Sequence, residues 1–165
     1  MSLIKNISLV IVVIFLSLSV GAKKRTPNSL QSDFEALSGS YKLEKGEFKY
    51  CPDGEITAKD DSLTIGANIR IEGVNKKKIS DKPGKQSDCG TESYSKFDGK
   101  KITSVVDEKC SGSVKSHTKY EINSYSGRDT KYLSLKVKRT YSRKGEESSK
   151  IEYECLYSRE ISSNF

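Results

Sequence analysis

From residue 119 to 159 apolar and polar side chains alternate with a period of two over three successive stretches. Residues 120–125 form the first. In the second, residues 132–141, Leu133, Leu135, Val137 and Tyr141 stand against Tyr132, Ser134, Lys136 and Lys138. In the third, Ile151, Tyr153, Cys155 and Tyr157 stand against Glu152, Glu154 and Ser158. Two polar turns, Ser126-Gly127-Arg128-Asp129 and Arg143-Lys144-Gly145-Glu146, separate them. Successive side chains of a strand point to opposite faces, so the pattern predicts a three-stranded antiparallel meander with one face buried.

Upstream, Leu30, Phe34 and Leu37 recur at helical spacing across residues 27–38. Asn28 and Gln31 have the spacing of a capping box, Gly39 can end the helix, and Phe34 reads as a core plug. Strand patterns follow. Tyr41 and Leu43 share one face, and residues 48–51 precede the Pro52-Asp53-Gly54 turn. Leu63, Ile65, Ala67, Ile69 and Ile71 keep one parity, either as a strand kinked at Gly66 or as a hairpin. Residues 75–90 are polar and read as a surface loop. The Asp98-Gly99 signal between Phe97 and Ile102 predicts a tight hairpin. Eight or nine strands with one leading helix give an all-β fold, an antiparallel up-and-down barrel of about eight strands over residues 39–165.

The first 22 residues change the compartment. Lys5 is followed by an apolar run and by Val20 and Ala22 at the positions of a cleavage site, so residues 1–22 read as a signal peptide. Residues 23–38 then hold a basic start (Lys23-Lys24-Arg25) and the short helix, and the chain is expected to be exported, periplasmic or extracellular. Cleavage leaves 143 residues with a net charge of +6. Their 25 Leu, Ile, Val and Phe residues promise only a thin core. Nine tyrosines and four cysteines compensate. An even cysteine count in an exported chain predicts two disulfides. Cys89 and Cys110 are equidistant from the 97–102 turn and would face each other across that hairpin. Cys51 and Cys155 pair by exclusion.

Catalytic chemistry finds little support. His117 is the single histidine and reads as a strand-surface residue; no second histidine is present to build a zinc site. Asp60-Asp61 and Glu146-Glu147 are adjacent carboxylates that a strand or turn would point apart or into water. No nucleophile elbow or phosphate loop occurs. No cofactor and no metal are therefore expected, and the chain is read as a non-enzyme. Lys136 and Lys138, with Tyr132 on the same parity, form a basic stripe that could hold an anionic polymer or envelope surface.

Two resemblances add to this. Leu37-Ser38-Gly39-Ser40-Tyr41 resembles the start of a lipocalin-like (calycin) barrel, with Tyr41 where that family has tryptophan. The resemblance implies that an arginine near the last strand, here Arg159, packs over Tyr41 as a barrel-closing pair, and it implies binding of a ligand whose identity is unknown. Tyr50-Cys51, Ser126-Gly127, Lys144-Gly145 and Cys155 together resemble the small-barrel lysozyme inhibitors of bacteria. That likeness implies that Ser126 and Lys144 contact an inhibited enzyme. The sequence thus describes a binding module, with inhibition of a secreted enzyme or adhesion to a polyanion as alternatives. Its partner is a secreted enzyme, an anionic polymer or a small ligand.

Overall fold

The structure is a computed structural model that describes residues 27–52, 54–76, 79–83 and 88–161. The expected signal peptide (1–22) and the basic residues 23–25 lie outside the described residues. Among the described residues one α-helix, α1 (Pro27–Glu35), precedes ten strands: β1 (Gly39–Lys45), β2 (Gly54–Lys59), β3 (Ser62–Ile65), β4 (Ile69–Ile71), β5 (Ile79–Asp81), β6 (Cys89–Phe97), β7 (Lys101–Cys110), β8 (Val114–Ser126), β9 (Thr130–Ser142) and β10 (Ser149–Glu160). They form one antiparallel sheet in the order β4-β3-β2-β1-β10-β9-β8-β7-β6-β5, curled into a half-barrel. The all-β, antiparallel expectation holds, with ten strands in place of about eight. No described helix is long and apolar enough to cross a membrane.

The meander is the backbone of the fold. β8, β9 and β10 pair over nearly their whole lengths, and Leu133, Leu135 and Val137 are buried as their parity predicts. The last strand then returns to the first: Lys42, Leu43 and Lys45 of β1 face Ser158, Tyr157 and Leu156 of β10. The residues that follow β4 meet β6. There Val74 bridges Ser95, the Asn75 amide donates to the Ser95 carbonyl at 3.0 Å, and the Phe97 amide donates to Asn75 Oδ1 at 2.7 Å.

Residues 63–71 adopt the hairpin rather than the kinked strand. Leu63 faces Ile71 and Ile65 faces Ile69, so all four isoleucine and leucine side chains enter the core. The helix closes one end of the half-barrel. Pro27 begins it, where its missing N–H costs no hydrogen bond, and Phe34 is buried with its ring 5.6 Å from that of Phe97. The Asn28–Gln31 capping box gives way to tertiary contacts. Asn28 falls within the first turn, and Gln31 donates to Glu35 Oε1 and to the Asp60 carbonyl.

Both predicted disulfides form, as suits a chain folding in an oxidising compartment. Cys89 sits directly across from Cys110 in the β6–β7 register. Cys51 bonds Cys155 of β10, but residues 48–51 are not a strand. The Tyr50 and Cys51 amides both donate to the Glu47 carbonyl, which folds this stretch into a turn and leaves Phe48 exposed. The turn brings Cys51 over Gly46, where a Cβ would collide with Cys51 Sγ. Gly46 therefore permits the bridge.

The Tyr41–Arg159 contact is present. Arg159 Cζ lies 5.3 Å from the centre of the Tyr41 ring, within cation–π range, and its Nη1 donates to the Ser38 carbonyl. Gly39 makes the space, since a Cβ there would strike the guanidinium, and its φ of 147° disfavours other residues. Tyr41 is 3% exposed and its hydroxyl has no hydrogen-bond partner among the described residues. Burial raises the phenol's pKa, and the neighbouring Arg159 partly opposes that rise.

The Cys51–Cys155 bridge spans 104 residues and Cys89–Cys110 spans 21, for which chain entropy gives about 4.7 and about 3 kcal/mol. Urea denaturation of the paired serine variants should therefore find C51S/C155S the less stable by roughly 1–2 kcal/mol; the reverse order would refute the assignment of closure to that bridge. Tyr41→Phe should stabilise the protein by about 1 kcal/mol, because it removes a desolvated hydroxyl without removing a bond. A loss of stability would mean that the hydroxyl has a partner.

The open trough as candidate functional site

The strands differ greatly in length, and that difference shapes the inner surface. β8, β9 and β10 have 13, 13 and 12 residues, whereas β2, β3 and β4 have 6, 4 and 3. Short strands can cover only part of the long ones. Side chains of β6–β10 that face inward fall into cross-strand rows fixed by the register. Phe97, Ile102, Ile122, Leu135 and Cys155 make a fully apolar row opposite the covered end, and all five are buried.

The next row is Ser95, Ser104, Tyr120, Val137 and Tyr153. Beyond it come Ser93, Val106, Thr118, Arg139 and Ile151, and then Thr91, Glu108, Ser116, Tyr141 and Ser149. Here the opposing wall ends. Ile151 is 44% exposed and Tyr141 40%, although their parity predicts the core. The inner face thus becomes an open trough floored by hydroxyls and tyrosines.

It includes a cavity of about 420 Å³ lined by Arg70, Ile71, Glu72, Thr91, Ser93, Ser95, Ser104 and Val106. Ser95 Oγ and Ser104 Oγ hydrogen-bond to each other at 2.9 Å, and the Ser95 hydroxyl also reaches the Glu72 carbonyl at 3.2 Å. The two cations of the trough each have a carboxylate. Arg70 Nε lies 2.7 Å from Glu72, and Arg139 Nη2 lies 3.9 Å from Glu108. Tyr120 and Tyr153 are half-buried, and Tyr50 stacks on Tyr153 with ring centres 5.2 Å apart. Burial raises both the Tyr120 and the Tyr153 pKa, with Arg139 opposing the rise in each. The phenols therefore stay protonated and can donate. Cys89, Glu108 and Cys110 gather nearby, but the cysteines are bridged and offer no thiolate to a metal.

The residues singled out in the sequence lie elsewhere. Lys136, Lys138 and Tyr132 are on the convex face, as their parity requires. The stripe is interleaved with carboxylates: Glu152 Oε1 lies 3.2 Å from Lys136 and 3.1 Å from Lys138. Hydrogen bonding to Glu152 raises the Lys136 pKa, and the two lysines lower that of Glu152. Tyr132 stacks on Tyr125 at 5.2 Å. An uncompensated basic stripe is therefore not formed there.

Ser126 and Lys144 are not brought together. One is at the β8–β9 turn and the other at the β9–β10 turn, on opposite ends of β9, whose 13 residues span roughly 40 Å at about 3.3 Å each. One compact blocking site cannot contain both. His117 is on the convex face, where its Nδ1 lies 2.7 Å from Asp107 Oδ1. The sequence does not announce the trough residues, because serine and threonine at inward parity look like a weak strand. Their signal is that Ser95 and Ser104 share parity with Phe97 and Ile102 on the two arms of one hairpin.

Convex-face ion pairing sets an acid limit on stability. Hydrogen bonds from Lys119 and Lys101, at 2.5 and 3.0 Å, push the Glu121 pKa down to about 2. A depressed carboxylate stabilises the fold above its unfolded value and loses that contribution as pH falls towards the folded one. Stability should therefore fall between about pH 4.5 and 2, and Glu121→Gln should flatten that part of the curve. Identical acid profiles for the two proteins would remove Glu121 from the account. In comparisons with known proteins, no protein-family model, no curated protein and no solved structure matches the chain.

Proposed function

We propose that the protein is an exported, non-catalytic binding module whose trough holds a neutral, hydroxyl-rich ligand of oligosaccharide type. The observation that carries this reading is the 420 Å³ cavity with four Ser and Thr residues in its wall, a size within the range of small-ligand sites. A hydroxyl both donates and accepts and rotates to suit its partner, as sugar hydroxyls do. Tyr120 and Tyr153 add flat apolar surface with a polar tip, which suits the C–H faces of a sugar ring.

Neutrality follows from the ion pairs. Arg70 and Arg139 are each offset by a glutamate, so the trough offers little net attraction to a charged guest. A lipophilic guest of the calycin kind has no space. The corresponding interior is filled by Ile56, Leu63, Ile65, Ile71, Leu133 and Tyr157, none more than 2% exposed. The non-catalytic reading is supported by the site's chemistry: its hydroxyls have no histidine beside them, and His117 lies on the opposite face.

The test is an NMR titration of the oxidised protein with a panel of soluble neutral oligosaccharides. Saturable shifts should appear at Ser93, Ser95, Ser104, Val106 and Thr118. Val106→Trp, which fills the cavity, should weaken binding at least roughly tenfold, or about 1.4 kcal/mol. Amides of the trough that stay still while those of another surface move would overturn the assignment.

A further inference from the structure

The far end of the meander carries a second cavity, of about 370 Å³, lined by Ser113, Lys115, Ser142, Arg143 and Lys144. Three of these five residues are cations and the other two carry hydroxyls. The register adds a fourth cation. Lys109 of β7 lies directly across from Lys115 of β8, and Ser142 of β9 is on the other side of Lys115. Directly opposed like charges in an antiparallel pair repel and destabilise the sheet.

Elsewhere on the convex face that repulsion is relieved. Glu152 is shared by Lys136 and Lys138, and Glu121 by Lys101 and Lys119. At the tip, among the described residues, no carboxylate is shared between two cations in this way. Asp107 is engaged by His117, Glu108 faces Ser116 and Arg139 on the inner side, and Glu146 reaches Arg143 at 3.4 Å. Among the described residues, Lys109, Lys115 and Lys144 have no carboxylate partner. Glu147 and Lys150, which follow in the turn and on β10, add charges of opposite sign and leave the excess unchanged.

We propose that this tip binds a tetrahedral oxyanion, the phosphate or sulfate group, between Lys115, Arg143 and Lys144, with the Ser113 and Ser142 hydroxyls as further donors. The guanidinium fork of Arg143 matches two oxygens of such a group, and the lysines add point charge. The anion takes the place that Glu152 and Glu121 fill on the rest of this face. This site is independent of the trough, since it rests on a different cavity and on charge rather than hydroxyl matching.

The test is an NMR titration of the full oxidised chain with sodium phosphate, with ionic strength held constant by sodium chloride. Saturable shifts are expected at Ser113, Lys115, Ser142 and Lys144, and Lys115→Ser with Lys144→Ser should weaken binding at least tenfold. Shifts that rise linearly over all exposed lysines, or that persist in the double variant, would overturn the proposal. Lys109→Glu provides a check that does not depend on that variant folding. It places a carboxylate across from Lys115 and should raise thermal stability at low salt while weakening phosphate binding; unchanged phosphate binding also counts against the site. Co-sedimentation identifies the source of the group. Retention on phosphatidylglycerol vesicles but not on phosphatidylcholine vesicles supports a headgroup phosphate. Phosphate saturation without retention on either supports a free anion.

Discussion

Everything else in this fold depends on the return of the last strand to the first. β1 and β10 share only a short run of pairs, yet that run joins the covering strands β2–β4 to the long meander. It is fastened at both ends. On one side Arg159 crosses Gly39 to reach the Ser38 carbonyl and the face of Tyr41. On the other, Cys51 folds back over Gly46 to bond Cys155. Two glycines thus provide the clearance for a guanidinium and a disulfide. The Tyr157 hydroxyl, donating to the Pro52 carbonyl at 2.9 Å between them, closes the same junction from inside.

Once β1 is fixed to β10, strand length decides where the inside ends. The hairpins β1–β2 and β3–β4 reach across the apolar row of the meander and stop. Their isoleucines are buried against Leu133, Leu135 and Ile122. Past that row the same inward parity meets solvent, and the sequence changes accordingly from Ile, Leu and Phe to Ser, Thr and Tyr. Burying polar hydroxyls without partners costs stability, so a serine-rich inner face is tolerable where water or a ligand can reach it. Ser95 and Ser104, the most deeply buried of these, satisfy each other.

Elements with a strong local signal were legible in the sequence. The period-two alternation gave the meander, the Asp98-Gly99 turn gave the β6–β7 hairpin and its Cys89–Cys110 register, and exclusion gave Cys51–Cys155. Phe34 at helical spacing proved a core plug. Features that depend on distant partners were not legible. Nothing local to Lys136 and Lys138 announces that Glu152 sits between them, and nothing in the two turns reveals that Ser126 and Lys144 lie a full strand apart. Ile151 and Tyr141 have core parity, but their exposure is set by β2–β4, which end short of them. The trough was hidden for the same reason: it is made by strands that are missing opposite Ser93 and Thr118, not by a motif within them.

The architecture also accounts for the thin apolar composition. A barrel closed along the full length of β8–β10 would need inward Leu, Ile and Val on every row, and the 25 Leu, Ile, Val and Phe residues beyond residue 22 are too few to fill it. A half-barrel concentrates them at the covered end, where the buried cluster is continuous from Phe34 to Tyr157. Tyrosines then occupy the boundary. Tyr120 and Tyr153 are half-buried and pack against the core at its edge, the position for which an amphipathic ring is suited. The two disulfides differ in setting: Cys51–Cys155 is buried in the core cluster beside the short β1–β10 junction, and Cys89–Cys110 sits at the uncovered end of β6–β7. Only the Cys89–Cys110 cross-link thus takes over where the hydrophobic core stops, and it holds the uncovered half of the inner face together while polar side chains occupy it.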